Sequence, residues 1–305
     1  MVSPAIYEYL IEFIPKENIF LEETMDKHTT FCVGGKVEAL IQIENKEQLI
    51  KLIPYFNMIE KEYFVLGNGS NLLVSDHGYK GVVIQIGPNM SNIVSNGTTL
   101  TVEAGALLTK VAKCAAANGL SGLEFAAGIP GTLGGAVVMN AGAYNGEMSQ
   151  VVKSVTLLDI EGNLLELDVA TMEFGYRTSI IRKKPFIVIE VVLELEKGDK
   201  NTIINKMDEF NKRRRDKQPL EFPSAGSTFK RPEGYYAGKL IMDAGLCGYG
   251  IGGAKVSEKH CGFIINEKNA TASDISQLIM EVVERVKNQF GVTLEPEVIS
   301  LGKFL

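Results

Sequence analysis

The chain has 305 residues, with 31 Lys+Arg against 37 Asp+Glu and a formal net charge of −6. At 45% hydrophobic and 22% charged residues, with 31 glycines and 10 prolines, the composition is globular and excludes disorder or collagen-like repeats. An acidic chain is ill-suited to neutralising phosphodiester charge over a long path, so nucleic acid is not expected as a main partner.

Cys32, Cys114, Cys247 and Cys261 stand far apart with no C-x-x-C, and the only histidines are His28, His77 and His260. Neither a disulfide framework nor a metal site is expected, and each cysteine reads as a small buried hydrophobe. The N-terminus carries acidic residues and lacks a basic region followed by an unbroken apolar stretch, so it does not read as a signal peptide. No window offers the roughly 20 apolar residues that a membrane helix needs. A cytoplasmic protein without membrane insertion is expected.

In chain order, Ile6, Leu10, Ile11 and Ile14 have helical spacing before Pro15, which predicts a short amphipathic helix. A strand over Ala39 to Ile43, a helix over Lys46 to Ile53 and a strand over Tyr63 to Leu66 form a β-α-β unit that ends on a glycine loop. Short β runs follow from Gly81, VVIQI and TLTVEA, and then an alanine-rich helix from Leu107 to Ala117 that Gly119 ends. VVKSVTLLD and LLELD read as a hairpin around Glu161-Gly162-Asn163, and PFIVIEVVLELE as a further strand. At Lys197 to Lys200 the composition turns polar and marks a domain boundary. A helix with Ile203, Met207 and Phe210 then runs into Lys212 to Arg215. The last helix, Ile275 to Phe290, starts at Ser273 or Asp274 and stops at Gly291, with an apolar stripe that belongs to a core.

Five stretches could carry chemistry. Leu66-Gly67-Asn68-Gly69-Ser70-Asn71 follows a strand; its glycines would let backbone amides converge on an anion, or simply make a tight turn. Gly128-Ile129-Pro130-Gly131-Thr132-Leu133-Gly134-Gly135-Ala136, followed by Asn140-Ala141-Gly142-Ala143-Tyr144, is dense enough in small residues to press its backbone against a large flat ligand or a pyrophosphate. In Phe174-Gly175-Tyr176-Arg177-Thr178-Ser179, an arginine beside a tyrosine suits a carboxylate or phosphate, although a surface arginine fits the pattern equally. Pro223 to Pro232 joins Ser224 and Ser227 to Lys230 and Arg231; a nucleophile, a proton donor or a turn serine are all open, but a hydrolytic triad is not supported. Leu294-Glu295-Pro296-Glu297-Val298 sets two carboxylates around a proline, where solvated acids are the plain alternative. The basic run Lys212 to Lys217 is by default a solvated face, and a diphosphate site is the sharper alternative. His260 reads as a satisfied polar residue rather than a catalytic base.

Taken in order, GNGSN, GIPGTLGGAVVMNAGAY, FGYRTS, PSAGSTFKRP, AGKLI, GGAKVS and LEPEV closely resemble the UDP-N-acetylenolpyruvoylglucosamine reductase (MurB) family, from about Thr29 to the C-terminus. The resemblance implies an α+β protein: an FAD-binding fold of the vanillyl-alcohol-oxidase type, made of two α+β subdomains, plus a C-terminal α+β substrate-binding domain. It implies an oxidoreductase of peptidoglycan synthesis, hence of cell-wall biogenesis, cell shape and division, that uses FAD and NADPH to reduce the enolpyruvyl ether of a UDP-sugar. The expected segments are 1–87 and 88–198 for the two FAD-binding subdomains and 199–297 for the substrate domain, with the tail 298–305 returning to the first.

The resemblance assigns catalytic roles to Arg177, to Ser227 as proton donor, and to Glu297. It assigns FAD binding to Gly67, Asn68, Gly69, Ser70, Asn71, Gly128, Pro130, Gly131, Thr132, Gly134, Gly135, Asn140, Ala141 and Gly142. Tyr176, Lys217, Lys230, Arg231 and His260 are the expected substrate-binding positions. There is little room between Tyr176-Arg177 and the serine motif for an extra tyrosine-bearing loop, so the chain looks like the shorter, type II form. Arg231 departs from the asparagine that some members carry four residues after the serine. A flavin oxidase of the same fold and a non-redox nucleotide-sugar sensor are the competing readings; Ser227 and Glu297 argue against the first, and a yellow protein favours the enzyme over the second, a colourless one that binds UDP-sugar the reverse.

Overall fold

The computed structural model describes residues 2–304. Met1 and Leu305, at the outer ends of the expected segments, lie outside the described residues. Helices α1 (Pro4–Leu10), α2 (Lys46–Met58), α3 (Leu108–Ala117), α4 (Leu133–Val138), α5 (Lys200–Lys217), α6 (Ala237–Asp243) and α7 (Ala272–Phe290) alternate with short strands. The chain divides into two compact units. The first takes residues up to Leu21, then Ala39–Asn68 and Gly81–Arg213; the second takes Glu22–Glu38, Gly69–Lys80 and the chain from Arg214 onward.

Two larger sheets carry most of the first unit. In one, the strands run in the order Ile19–Leu21, Val37–Ile43, Tyr79–Ile86 and Tyr63–Leu66, the last two parallel. In the other, Leu164–Asp168, Val152–Leu158, Ile187–Glu194, Thr99–Glu103 and Ile93–Asn96 form an antiparallel sheet that includes the expected hairpin. The β-rich stretch Ile187–Glu194 is the central strand, and its Val191 and Leu193 are fully buried. Leu49, Leu52, Ile53 and Phe56 put a buried stripe on α2 at spacings of three and four, and Asn45 caps it by accepting the Gln48 N–H at 3.1 Å. The helix does not stop at Ile53. It carries Pro54 inside and runs on to Met58, because burying Phe56 offsets the lost backbone donor.

The second unit packs α7 with an antiparallel sheet of Gly250–Ile251, Ala254–Val256 and Ile264–Asn266, and separately pairs Leu72–Val74 in parallel with Ile299–Leu301. Ile275, Leu278, Val282 and Val286 line the buried face of α7. Its cap is Thr271 rather than Ser273 or Asp274. The Thr271 hydroxyl accepts the Asp274 N–H at 3.0 Å and Asp274 accepts the Thr271 N–H at 3.0 Å, so Asp274 is the third residue of a capping box. Gly291, left-handed at φ +71°, ends the helix as expected.

The expectation that each cysteine is a small buried hydrophobe holds only for the burial of Cys261, since Cys32 and Cys247 are exposed and Cys114 is half-buried. Cys247 and Cys261 form a disulfide with Cα atoms 5.6 Å apart, while Cys32, which is exposed, and Cys114 are free thiols. The pairing comes from the turn around Gly248 and the Lys259–Gly262 loop flanking one small sheet, a proximity that linear spacing does not reveal.

Candidate active site

Within the first unit, Gly67 and Asn68 meet the Gly128–Gly135 loop. Asn68 Nδ2 donates to the Pro130 carbonyl at 2.5 Å, and a Cβ on Gly67 would stand 2.3 Å from Thr132 Oγ1, so glycine at 67 is what lets the threonine close over the strand end. Thr132 in turn caps α4 by accepting the Gly135 N–H at 3.4 Å. The glycines do different things. Gly134 is buried, a Cβ there would lie 2.9 Å from the Ala104 Cβ, and its N–H already donates to the Ala104 carbonyl at 2.8 Å. Gly135 is exposed, and a Cβ there would find only Thr132 Oγ1, at an ordinary 3.5 Å. Packing therefore demands glycine at 134 but not at 135. An exposed stretch of bare backbone beside Thr132 lets a flat, phosphate-bearing group such as FAD approach the main chain closely. Gly69, Ser70 and Asn71 belong to the second unit. Gly69 is left-handed at φ +62°, with the His28 carbonyl 2.0 Å from where its Cβ would stand, so at this position the loop is a strict turn.

Arg177 also lies in the first unit. Gly175 and Thr178 exchange both backbone hydrogen bonds, at 3.1 and 3.3 Å, and the tight turn between them carries Tyr176 and Arg177 at its corners. Arg177 is left-handed at φ +55°, its Nη2 donates to the Gly142 carbonyl at 3.2 Å, and its guanidinium lies 5.3 Å from the Tyr176 ring centroid. The turn is thus joined to the Asn140-Ala141-Gly142 loop.

In the second unit two remote motifs run side by side. The Glu297 N–H donates to the Thr228 carbonyl, the Lys230 N–H donates to the Glu295 carbonyl, and Phe229 bridges Pro296 in antiparallel sense. Ser227 is exposed at the end of this pairing, beside fully buried Thr228, whose hydroxyl accepts the Ile264 N–H at 3.0 Å and whose N–H donates to the Gly262 carbonyl at 2.8 Å. Glu297 is half-buried, and its carbonyl accepts from Asn71 Nδ2 at 3.2 Å, which ties the Leu294–Val298 stretch to the Leu66–Asn71 stretch. Thr228 has no signal in the sequence beyond being a threonine beside the candidate serine.

His260 is half-buried, and burial holds its imidazole below the usual histidine range. Its Nδ1 accepts the Gly262 N–H at 3.1 Å, which leaves the proton of the neutral ring on Nε2. Lys230 pairs with Glu295. Arg231 stacks 4.0 Å from the Tyr236 ring centroid and donates from Nε to the Tyr235 carbonyl at 3.3 Å. Lys217 is exposed at the last position of α5. Among the described residues no helix is long and apolar enough to cross a membrane.

The α+β fold, together with its matches to known proteins, defines an FAD-binding oxidoreductase. Residues 37–168 match the model of an FAD binding domain, and residues 218–301 match that of the UDP-N-acetylenolpyruvoylglucosamine reductase C-terminal domain. The chain is 50% identical over 99% of its length to the whole of a UDP-N-acetylenolpyruvoylglucosamine reductase from Caldanaerobacter subterraneus, and 49% identical over 99% of its length to the whole of one from Clostridioides difficile. The crystal structure of the Thermus caldophilus MurB reductase superposes with a TM-score of 0.79 at 37% identity, covering 93% of this chain and 98% of that one. The chain belongs to the UDP-N-acetylenolpyruvoylglucosamine reductase family, and its fold is the FAD-binding type that the sequence resemblance implies.

Proposed function

We infer that the chain catalyses the FAD-dependent, NADPH-driven reduction of UDP-N-acetylglucosamine enolpyruvate to UDP-N-acetylmuramic acid. The observation that carries this reading is identity of about one half over essentially the whole length of reductases from several bacteria. FAD is held by Gly67 to Asn71, by Gly128, Pro130, Gly131, Thr132, Gly134 and Gly135, and by Asn140, Ala141 and Gly142; the exposed backbone at Gly135 supports this assignment. When bound, FAD supplies the hydride relay from NADPH to the vinyl carbon farther from the carboxylate, chemistry that no side chain can perform.

The protein's own residues manage charge and the proton. Once hydride has arrived, electron density builds on the carbon beside the carboxylate and on the carboxylate oxygens. The Arg177 guanidinium, fixed by its turn, stabilises that enolate, and Glu297 acts on it indirectly by holding a water or a proton. Ser227 Oγ–H donates the proton to the carbon. A serine hydroxyl is a weak acid, but the enolate is strongly basic and the donor is already in place. Tyr176, Lys217, Lys230, Arg231 and His260 bind the substrate, the cations serving its diphosphate through local charge although the chain as a whole is acidic.

Within this function the chain works in the cytoplasm, in peptidoglycan precursor synthesis, and so in cell-wall biogenesis, cell shape and division. Segments 1–87 and 88–198 form the FAD-binding part and 199–297 the substrate domain; the FAD-domain match at 37–168 and the C-terminal-domain match at 218–301 support that order. The test is anaerobic mixing of the yellow holoprotein with NADPH and then with the enolpyruvyl substrate. Flavin absorbance should bleach and then recover. A colourless protein that binds the UDP-sugar, or a bleached flavin that the substrate leaves reduced, would overturn the assignment.

A further inference from the structure

Asn140 stands just beyond α4, in the left-handed region at φ +42°, and is only 1% exposed. Both ends of its side-chain amide are engaged inside the protein. Oδ1 accepts the Ser149 N–H at 2.9 Å, and Nδ2 donates to the Gly175 carbonyl at 3.1 Å. Because only an oxygen can meet the Ser149 N–H, the Ser149 contact dictates that the nitrogen faces Gly175. The Gly175 carbonyl is thereby held from two sides, by Thr178 within the turn and by Asn140 outside it. Ser179, fully buried and one residue beyond the turn, donates from Oγ to the Val138 carbonyl at 2.9 Å. The turn is thus anchored at its first residue and just past its last to the segment that leaves α4. What lies between is Arg177 in a left-handed conformation, a backbone region unfavourable to any residue with a side chain and maintained only where the surroundings over-determine it.

We propose that the side chains of Asn140 and Ser179 position Arg177, any part of Asn140 in holding FAD falling to its backbone: together they clamp the Gly175–Thr178 turn so that the guanidinium is presented in one orientation. The proposal rests on the role given to Arg177 above. Without the clamp the turn relaxes toward an ordinary negative φ and the guanidinium swings away from its place beside Gly142.

The experiment uses purified holoenzyme under anaerobic conditions, with rates expressed per bound flavin. Asn140→Asp keeps an acceptor for Ser149 but turns a carboxylate toward the Gly175 carbonyl. At pH 8 the ratio of the reoxidation rate by the enolpyruvyl substrate to the reduction rate by NADPH should fall by about 10- to 100-fold, the scale of a small misplacement of a catalytic group. It should recover as the pH falls and the carboxyl, once protonated, donates to Gly175 again, an acid-side rise that wild type lacks. Amide deuterium exchange in the peptide spanning 174–182 should increase in parallel. In an Arg177→Ala background, Asn140→Asp should change reoxidation by no more than about twofold, since residues acting through one group are not additive. Ser179→Ala, which removes only a hydroxyl, should show the same dependence on Arg177 and decides the matter if Asn140→Asp yields no holoenzyme. Full additivity, or an unchanged ratio in both variants, overturns the clamp. Normal reoxidation in Arg177→Ala alone would instead overturn the role of the arginine.

Discussion

The backbone N–H of Glu297 donates to the carbonyl of Thr228 at 2.8 Å, so the carboxylate-bearing residue sits one place out of register with Ser227 on paired antiparallel segments. Two motifs from opposite ends of the C-terminal region are thereby held at a fixed backbone spacing. Fully buried Thr228 is the joint, since its hydroxyl and N–H are bound to Ile264 and Gly262 as well.

If Ser227 is the proton donor, Ser227→Ala should still be bleached by NADPH at near-normal speed, because hydride arrival needs no such proton. Reoxidation by the enolpyruvyl substrate should slow by at least about 10⁴-fold, the upper end for loss of a general acid. Ser227→Cys, with a more acidic proton, should regain much of that loss. Stopped-flow flavin absorbance reads both halves, and equal reoxidation rates in wild type and Ser227→Ala would refute the assignment.

Gly135→Val should give a folded protein with little flavin, since the added side chain would stand on the exposed backbone beside Thr132 where a ligand would lie. Gly134→Val should behave differently. Its side chain is forced against Ala104, and overpacking of that kind costs about 1–3 kcal/mol, so the melting temperature should drop. The ratio of flavin to protein, together with thermal melts of the apoproteins, separates the two. A full complement of FAD in folded Gly135→Val would move the site elsewhere.

Asp76 caps α7 from outside the helix, accepting the N–H groups of Ala272 and Ser273 at 2.8 Å each and the Ser273 hydroxyl at 2.6 Å. Partial burial works to raise its pKa, but the Ser273 hydroxyl and the two amides outweigh it and hold the carboxyl below its ordinary value of 3.8. A depressed carboxylate stabilises the fold above its unfolded pKa and ceases to do so as the pH falls through the native one. Asp76→Asn should therefore cost about 0.3–1 kcal/mol at pH 7, toward the low end because Asp76 is exposed and screened by solvent, and its gap to wild type should narrow as the pH falls below about 4. Thermal melts at pH 7 and pH 3 check this; a gap of constant size would show that the charge is not involved.

The Cys247–Cys261 bond closes a short loop, and a cross-link over about 15 residues contributes roughly 3 kcal/mol. Thiol titration of protein denatured without reductant should count the two thiols of Cys32 and Cys114, and a reductant should both raise the count to four and lower the melting temperature. A count of four from the outset, in protein purified under air, would mean that the bond does not form.

Much of the local structure was legible because it depends on neighbours in the chain. The apolar stripes of α2 and α7, the strand Tyr63–Leu66, the hairpin around Gly162 and the stop at Gly291 all follow from spacing and caps within a few residues. The order of the glycine, arginine, serine and glutamate motifs was likewise enough to point to the reductase family, because each motif is a short contiguous run. Only the tertiary structure decided which residues meet. It separated Gly134, a glycine required by Ala104, from Gly135, a glycine that packing does not require. It turned the Asn140 amide toward Gly175, joined Cys247 to Cys261, and set Glu297 beside Thr228. Periodicity and propensity report the conformation of a segment, whereas these contacts arise from burying apolar surface on segments far apart in sequence, a non-local and non-directional force that one-dimensional patterns do not encode.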